Sequence, residues 1–443
     1  MKRSGQSVTG AAPPTLRQAR FAWCMYDWAN SAFATVILAA VLPVYFAALV
    51  PAGGATLCLF GRCLTLPATA LWGYAVTCSM LLVAVIAPGL GAHADRCGTR
   101  RHWLMICCLA GSAATCLLVM AGPGSYLLAA GLFVIANACF AAGNIFYNAF
   151  LPMLSKGTEM DRLSARGFAF GYLGGGLALL LVFILISRPA FFGLADGAVA
   201  SRVGFLLTGL WWALFALPAF RHLQDEQRPT GGTLPIGGWR GYLCTFKKVS
   251  SYPDLLRFLL AFLCYNDGIQ TIIVVAAIFA REELAISQTS ILGCFLMIQF
   301  VAMPGALLFG RVASRYGSKR ALLTSLLLFI VVTIYAYRME EAWQFWLLGL
   351  LVALILGGSQ AISRSFYGAL IPPGQNAEFY AFYAISGKCA SVLGPLSFAL
   401  LIQLTGSNRT AILGLAGFFV LGVALLLTVN EKRGRQAAQL SES

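Results

Sequence analysis

The sequence predicts an all-α membrane protein in which twelve transmembrane helices form two similar six-helix bundles. Three observations support this fold class: an apolar composition, twelve apolar stretches of helical length, and an internal repeat. Of the 443 residues, 59% are hydrophobic and only 11% are charged. Soluble domains carry about 25% charged residues, so this composition indicates a chain that lies in a lipid bilayer.

The predicted spans are apolar stretches of about 20 residues, the length that a helix needs to cross a bilayer. The first six cover residues 21–50, 69–91, 103–121, 126–149, 167–187 and 201–220. The second six cover residues 256–280, 288–309, 321–337, 343–367, 379–403 and 410–429. They are numbered spans 1 to 12 in chain order.

These spans divide the chain into two bundles, two tails and a linker. The predicted parts are a cytoplasmic N-terminal tail (1–20), an N-terminal six-helix bundle (21–220), a cytoplasmic linker (221–255), a C-terminal six-helix bundle (256–429) and a cytoplasmic C-terminal tail (430–443). The linker is the longest polar segment and contains clustered Gly and Pro, as expected of a tether between domains. We expect no cleavable signal peptide, because the first 20 residues are polar and the first apolar run is too long for one.

The net charge of +15 indicates orientation in a membrane rather than a nucleic-acid partner. If both termini are cytoplasmic, 24 of the 31 Lys and Arg residues fall on the cytoplasmic side. This distribution follows the positive-inside rule. We therefore expect a multi-pass protein of a bacterial cytoplasmic membrane, with the lipid bilayer and a small-molecule substrate as its partners.

Other sites are not predicted. No nucleophile, base or metal-ligand cluster is arranged for chemistry, so we expect neither an enzyme nor a bound cofactor. Cys58 and Cys63 fall in a loop on the outer side, where an oxidising compartment permits a disulfide. Whether they form one stays open at this point.

A basic loop between spans 2 and 3 recurs between spans 8 and 9. The first copy contains Gly91, Asp95, Arg96, Gly98, Arg100 and Arg101. The second copy, 219 residues later, contains Gly310, Ser314, Arg315, Gly317, Lys319 and Arg320. The segment FYNAFLP at 146–152 likewise returns as FYGALIP at 366–372. Two similar halves around a central site are typical of transporters that work by alternating access.

The first loop resembles the signature loop of the major facilitator superfamily, with the pattern G-x-x-x-D-R-x-G-x-R-R. The resemblance implies the major facilitator fold and a gate in which the loop Asp contacts span 11. The gating residues that it implies are Gly91, Asp95, Arg96, Gly98, Arg101 and Arg315. Thr99 departs from the usual Arg of that family, and Ser314 replaces the acid in the second copy, so we expect a second latch to be weaker or absent. A plain orienting loop is the alternative.

Longer segments resemble a narrower family. They are YDWANSAFAT (26–35), FYNAFLP (146–152), RGFAFGYLGGG (166–176), YNDGIQTI (265–272), GSQAISRSFYGALIP (358–372) and EFYAFYAISGKCASVLGP (378–395). Together they are similar to the autophagy-related vacuolar amino-acid effluxers and their bacterial relatives. The resemblance implies a transporter, with export of amino acids from a degradative compartment as the role of the eukaryotic members, and it leaves the bacterial substrate open.

Two matched polar stripes lie on spans 1 and 7. The first is Asp27, Asn30 and Ser31, and the second, offset by 240 residues, is Asp267, Gln270 and Thr271. The spacing i, i+3, i+4 places each stripe on one helix face. An ionised side chain at the centre of a span costs about 2.5 to 3.5 kcal/mol on insertion scales, so both acids require a reason. We expect the stripes to line a central cavity; for Asp27, helix capping or packing is the alternative.

Further polar residues face these stripes in the predicted bundle. They are Asn137, Asn144 and Asn148 on span 4, Gln360, Ser363, Arg364 and Tyr367 on span 10, and Lys388 on span 11. By depth, Arg364 and Lys388 are the expected partners of Asp267, and a structural ion-pair network is the alternative to a substrate role. Asp27 has no basic partner at its depth in its own half, which suits a proton carrier.

These features predict a secondary active transporter that moves a small polar solute, such as an amino acid or other zwitterion, by alternating access. Proton coupling would pass through Asp27 or Asp267. We expect a monomer. The alternative is a non-transporting membrane sensor or assembly factor that retains the fold and uses the linker as its partner site.

Overall fold

A computed structural model describes residues 14–51, 53–59, 62–225 and 239–440 of the chain. Within these ranges, the side chains of 57–59, 62–64, 239–244, 277–278, 282, 288–289 and 388–392 lie outside the description.

The first half is helical apart from one hairpin. Its helices are α1 (Leu16–Ala32), continued by a π-helical segment (Phe33–Ala40), α2 (Leu42–Leu49), α3 (Ala68–Cys97), α4 (Arg100–Leu117), α5 (Tyr126–Ala149), α6 (Leu151–Leu154), α7 (Thr158–Ser187) and α8 (Gly197–His222). Short 3₁₀ segments cover Leu118–Met120 and Pro189–Phe192. The hairpin consists of β1 (Ala55–Leu59) and β2 (Arg62–Leu66).

The linker contributes helix α9 (Trp239–Ser250), and the second half is helical throughout its described residues. Its helices are α10 (Pro253–Glu282), α11 (Gln288–Tyr316), α12 (Ser318–Tyr337), α13 (Ala342–Gly368), α14 (Asn376–Thr405), α15 (Asn408–Gly414), α16 (Ala416–Thr428) and α17 (Glu431–Leu440). The two halves thus repeat the same order of long helices, as the internal repeat predicts.

These helices confirm the all-α polytopic fold. Among the described residues, ten helical stretches are long and apolar enough to cross a membrane, and α1 with its π-helical continuation and α2 adds an eleventh as a pair bent by 43°. Pro43, at the second position of α2, has no amide N–H to donate, which favours a bend at this point. The thirty-residue helix α14 covers the predicted span 11.

Several helices begin before their apolar stretches. α7 begins at Thr158, well before residue 167, where the apolar run starts. Glu159 and Asp161 lie in its first turn, where acidic side chains stabilise the N-terminus through the helix dipole. Hydropathy alone therefore sets these starts too late, since the polar first turns also fold as helix.

The hairpin between spans 1 and 2 was not predicted. Thr56 and Thr65 are directly paired across it, and cross-strand Thr pairs favour such a ladder. The register also places the backbone of Cys58 opposite that of Cys63. The two thiols lie outside the described side chains, so the disulfide stays an open question.

The two halves pack against each other mainly through α7 and α14. α7 of the first half lies against α11 and α13, and α14 of the second half lies against α3 and α5. α9 packs on α3, α10 and α14, while α17 packs on α10. We call this side of the bundle, with α9 and α17, the linker end, and the side with β1 and β2 the hairpin end.

Candidate functional site

The matched acids of spans 1 and 7 have equivalent surroundings. A Cβ built on Gly171 of α7 would come within 3.2 Å of Asp27 Oδ1, and one built on Gly394 of α14 would come within 2.8 Å of Asp267 Oδ1. Each acid thus faces a glycine of a long helix in its own half. The repeat therefore extends from the acids to the helices that pack on them.

Asp27 is paired across the two halves. Its Oδ2 lies 3.3 Å from Nη1 of Arg364 on α13 and accepts a hydrogen bond of 2.9 Å from the hydroxyl of Tyr147. The side chain of Arg364 is only 4% exposed. Arg364 therefore does not pair with Asp267 as expected, because it reaches across the interface into the first half.

The guanidinium of Arg364 is surrounded by groups of the first half. Its Nε donates to Ser164 Oγ at 3.0 Å, its Nη2 to the Ser164 carbonyl at 2.8 Å, and its Nη1 to Asn148 Oδ1 at 3.4 Å. The ring centroids of Phe168, Trp23 and Tyr147 lie 4.2, 4.7 and 5.4 Å from its Cζ. We call this set the guanidinium cage: Trp23, Asp27, Tyr147, Asn148, Ser164 and Phe168.

Asp267 is buried without a cationic partner among the described residues. It is 0% exposed, its Oδ1 accepts a 2.9 Å hydrogen bond from the amide of Gly394, and its Oδ2 has no hydrogen-bond partner in the described part of the chain. The hydroxyl of Thr271 donates to the backbone carbonyl of Asp267 instead. The side chain of Lys388 lies outside the described residues. An ionised, unpaired carboxylate in this position would be costly.

The repeat explains why the two acids differ. The position in the first half that corresponds to Arg364 is Asn144, so it offers Asp267 no cation. The position that corresponds to Tyr147 is Tyr367, whose hydroxyl donates to the carbonyl of Phe379 at 2.7 Å. Neither equivalent residue therefore pairs with Asp267: Asn144 carries no charge, and the Tyr367 hydroxyl bonds elsewhere.

The remaining polar residues separate into different groups. Asn30 donates to Asn144 at 2.8 Å, and Gln360 accepts from Tyr172 at 2.9 Å across the halves. Asn137 is fully buried and donates to Ser79 at 2.8 Å, which places it between α3 and α5, within the first half. Gln270, three residues after Asp267 on α10, is half-buried.

At the linker end, Asp95 caps the N-terminus of α14. Its Oδ1 accepts from the amide of Ala377 at 3.0 Å, and its Oδ2 accepts from the amide of Glu378 at 2.9 Å. Asp95 is only 3% exposed. The first amides of a helix have no partner within the helix, so this carboxylate of the first half satisfies two of them in the second half.

The arginine that pairs with Asp95 is Arg100, which the sequence reasoning did not place in the gate. Arg100 Nε lies 2.6 Å from Asp95 Oδ1, and its side chain is buried. Gly98 ends α3 in the left-handed conformation, with φ +61°, and α4 begins at Arg100. This reversal directs the first residue of α4 back to the end of α3, and the adjacent glycine is the signal in the sequence.

Arg101 and Arg96 lie elsewhere in this loop. The amide of Arg101 donates to Asp225 at 3.0 Å, and its side chain reaches the carbonyl of Leu223 at 3.4 Å, so it contacts the end of span 6. Burial raises the pKa of the Asp225 carboxyl, although the Arg101 amide acts in the opposite direction. Arg96 lies exposed in the last turn of α3.

The second copy of the loop also contacts the first half, through different chemistry. Gly310 packs against Ala165 of α7, and Ser318 donates to Asp161 Oδ2 at 2.8 Å. Ser365 donates to the other oxygen of Asp161. The loop thus lacks an acid of its own, for which reason we expect a weaker or absent latch, but an acid, Asp161, lies on the facing helix. Arg315 lies over the ring of Tyr316, 5.5 Å from its centroid.

Gly91 allows α3 to lie close to the first turn of α14. A Cβ on Gly91 would come within 2.6 Å of the Ala377 carbonyl oxygen. We expect Gly91→Ala to lower the stability of the purified protein by about 1 to 3 kcal/mol, as overpacking does, and to lower its melting temperature. Gly89→Ala on the same helix is the control, because nothing lies within 4 Å of a Cβ there. Equal melting temperatures for the two variants would contradict close packing at this point.

The linker helix α9 contacts α14 at Glu378, the residue whose amide also donates to Asp95. Lys248 Nζ lies 3.0 Å from the Glu378 carboxylate, and Thr245 donates to it at 2.5 Å. The side chain of Glu378 is only 5% exposed. The start of α14 is thus held by the first half through its amides and by the linker through its side chain.

The long apolar helices, their arrangement as two similar halves and the buried contacts between those halves define a transporter of the major facilitator class. Solved structures of this class have the same fold. The human organic anion transporter MFSD10 (TETRAN) aligns with a TM-score of 0.73 at 16% identity, over 93% of this chain and 100% of that one. The Escherichia coli fucose:proton symporter FucP aligns with a TM-score of 0.70 at 13% identity, over 94% of this chain and 98% of that one.

The chain belongs to the vacuole effluxer Atg22-like family, whose model matches residues 15–439. It is 33% identical over 423 residues to YxiO of Bacillus subtilis strain 168, described as an uncharacterized MFS-type transporter, covering 94% of this chain and 96% of that protein. It is 25% identical over 486 residues to Autophagy-related protein 22-1 of Penicillium rubens, covering 89% of this chain and 81% of that protein. These matches agree with the family resemblance found in the sequence.

Proposed function

We propose that this protein is a proton-coupled secondary transporter that moves a small polar solute, an amino acid or other zwitterion, by alternating access. Asp267 carries the proton. Asp27 and Arg364 form a lock between the halves that closes the linker end together with Asp95 and Arg100. The protein lies in a bacterial cytoplasmic membrane with both termini in the cytoplasm, so the linker end faces the cytoplasm.

The observation that carries the proposal is the difference between the two matched acids. Asp27 has a guanidinium at 3.3 Å, whereas Asp267 is 0% exposed and has an oxygen without a partner among the described residues. A buried acid without a counter-ion is most stable when protonated. When the site opens to water, the same carboxyl can release its proton.

Two contacts support the cycle of opening and closing. In the middle of the bundle, the Ser164 hydroxyl donates to the Ala361 carbonyl of the other half, and at the linker end the α14 amides of Ala377 and Glu378 donate to Asp95. These contacts would have to break when the site opens to the linker side. Their buried charges then need new partners, and a proton or a substrate group can serve.

Transport in proteoliposomes tests the proposal. We expect radiolabelled amino acids, assayed as a panel that includes leucine and arginine, to accumulate against their gradient only when a pH gradient is imposed. Asp267→Asn should retain exchange of solute across the membrane but lose accumulation, because the neutral amide cannot release a proton. Accumulation that is independent of the pH gradient, or that persists in Asp267→Asn, would exclude proton coupling at this residue.

A further inference from the structure

We infer that the guanidinium cage is a binding subsite for an organic cation, which Arg364 occupies in this conformation. The inference rests on the proposed alternating-access function. In the conformation in which the halves separate at the linker end, Arg364 leaves with the second half. The ammonium or guanidinium group of the substrate then takes its place.

The cage belongs to one half of the molecule. Among the described residues, the acceptors and rings around the guanidinium come from α1, α5 and α7 of the first half. Arg364 comes from α13 of the second half. A rigid-body movement of the halves therefore removes the cation and leaves its site intact. The site would then present a carboxylate, three further oxygens and three aromatic faces without a cation.

The chemistry of the cage selects a cation with several N–H donors and an apolar body. Asp27 provides the charge, and Asn148 with the hydroxyl and carbonyl of Ser164 accepts directed hydrogen bonds. The faces of Phe168 and Trp23, at 4.2 and 4.7 Å, add cation–π attraction, which increases when the cation is shielded from water. A bare metal ion has no N–H groups to donate to these directed acceptors, so it would gain less from the cage than an alkylguanidinium or alkylammonium.

Gly167 of α7 leaves the space in which the guanidinium of Arg364 lies. A Cβ on Gly167 would lie 2.9 Å from Arg364 Nη2, 2.9 Å from the Tyr147 hydroxyl and 2.6 Å from the indole of Trp23. Any side chain at this position would fill the space that the cation takes. Gly167→Ala is therefore a variant that blocks the cage without changing its charge.

Binding to purified Arg364→Ala tests the inference, with methylguanidinium as the probe and methylurea, a neutral molecule of the same shape, as the control ligand. Removing the side chain of Arg364 empties the cage while leaving its walls. We expect methylguanidinium to bind at least about tenfold more tightly than methylurea, since hydrogen bonds with ionic partners are the stronger ones. Binding would be followed by the rise in melting temperature and by tryptophan fluorescence. Wild-type protein, whose cage Arg364 occupies in this conformation, should bind methylguanidinium more weakly than Arg364→Ala does.

Two further variants make the result decisive. Adding Asp27→Asn or Gly167→Ala to Arg364→Ala should abolish the preference for methylguanidinium. If Arg364→Ala does not fold, the same probes are applied to Asp95→Asn, in which the weakened gate should let Arg364 leave the cage. Equal binding of the two probes, or a preference that survives Asp27→Asn, would overturn the inference. Because binding is measured without transport, a protein that binds the cation but moves no solute would overturn the proposed function alone.

Discussion

Arg364→Ala is expected to lower the stability of the folded protein by about 3 to 5 kcal/mol, the usual loss when one partner of a buried ion pair is removed. Three consequences of the substitution add together. Asp27 would remain buried without a cation, the oxygens of Ser164 would lose their donors, and three aromatic faces would lose their contact with the guanidinium. The melting temperature of the purified protein in detergent should therefore fall sharply.

The double variant Asp27→Asn with Arg364→Ala separates the charge from the packing. Removing both charges leaves no unpaired ion, so we expect the double variant to melt above Arg364→Ala alone. Arg162→Ala is the matched control, because the pair that Arg162 forms with Glu159 in the described part of the chain lies at the surface, with exposures of 52% and 48%. Two results would contradict a buried ion pair between Asp27 and Arg364. One is a double variant whose loss of stability equals the sum of the losses in the two single variants, and the other is an equal loss of stability in Arg162→Ala.

Asp95→Ala should open the linker end and destabilise the protein by a similar amount. The substitution leaves Arg100 buried without its carboxylate, which lies at 2.6 Å, and leaves the first amides of α14 uncapped. The buried cation accounts for about 3 to 5 kcal/mol, and the lost cap for about 1 kcal/mol. We therefore expect a lower melting temperature together with weaker contact between the halves.

Labelling of a cysteine between the halves reports the opening directly. Ser318 is 2% exposed and contacts Asp161 of the facing half, so Ser318→Cys should react slowly with a maleimide in protein whose exposed Cys78 and Cys97 are replaced by serine. Adding Asp95→Ala should make the reaction faster. The control is Ser314→Cys, because the Ser314 hydroxyl bonds within its own helix and its reactivity should not change. An unchanged rate at residue 318 would contradict the gating role of Asp95.

The fold followed from the sequence because each span is a long apolar segment, and hydropathy alone locates such segments. The twelve predicted spans correspond to the long helices of the structure. The predicted ends of the spans were less accurate. The structure begins α7 at Thr158 rather than at residue 167, because polar residues also form its first turns. The hairpin β1–β2 was missed since it is short and lies between two much stronger helical patterns.

The charged contacts were harder to predict, because they join residues that are far apart in the chain. Depth along each helix suggested that Arg364 would meet Asp267, yet the rotation of α13 directs it to Asp27. Depth gives the level of a side chain but not the helix that it faces. Arg100 was missed in the same way, since the turn at Gly98 decides which arginine of the loop reaches Asp95.

The repeat predicted where the polar stripes lie, and its differences explain their chemistry. Asn144 stands where the second half has Arg364, so only one of the two acids receives a cation. The difference between Asn144 and Arg364 is visible in the sequence. The sequence does not show that Arg364 pairs with Asp27, because the two residues belong to different halves.

We propose that the two matched acids carry different charges, with Asp27 ionised and Asp267 protonated. Infrared difference spectroscopy measures this most directly, through the C=O stretch of a protonated carboxyl group. Near neutral pH, we expect the spectrum of the wild-type protein to contain such a band, which Asp267→Asn removes and Asp27→Asn retains. A spectrum in which Asp267→Asn leaves the protonated-carboxyl bands unchanged would contradict a protonated Asp267.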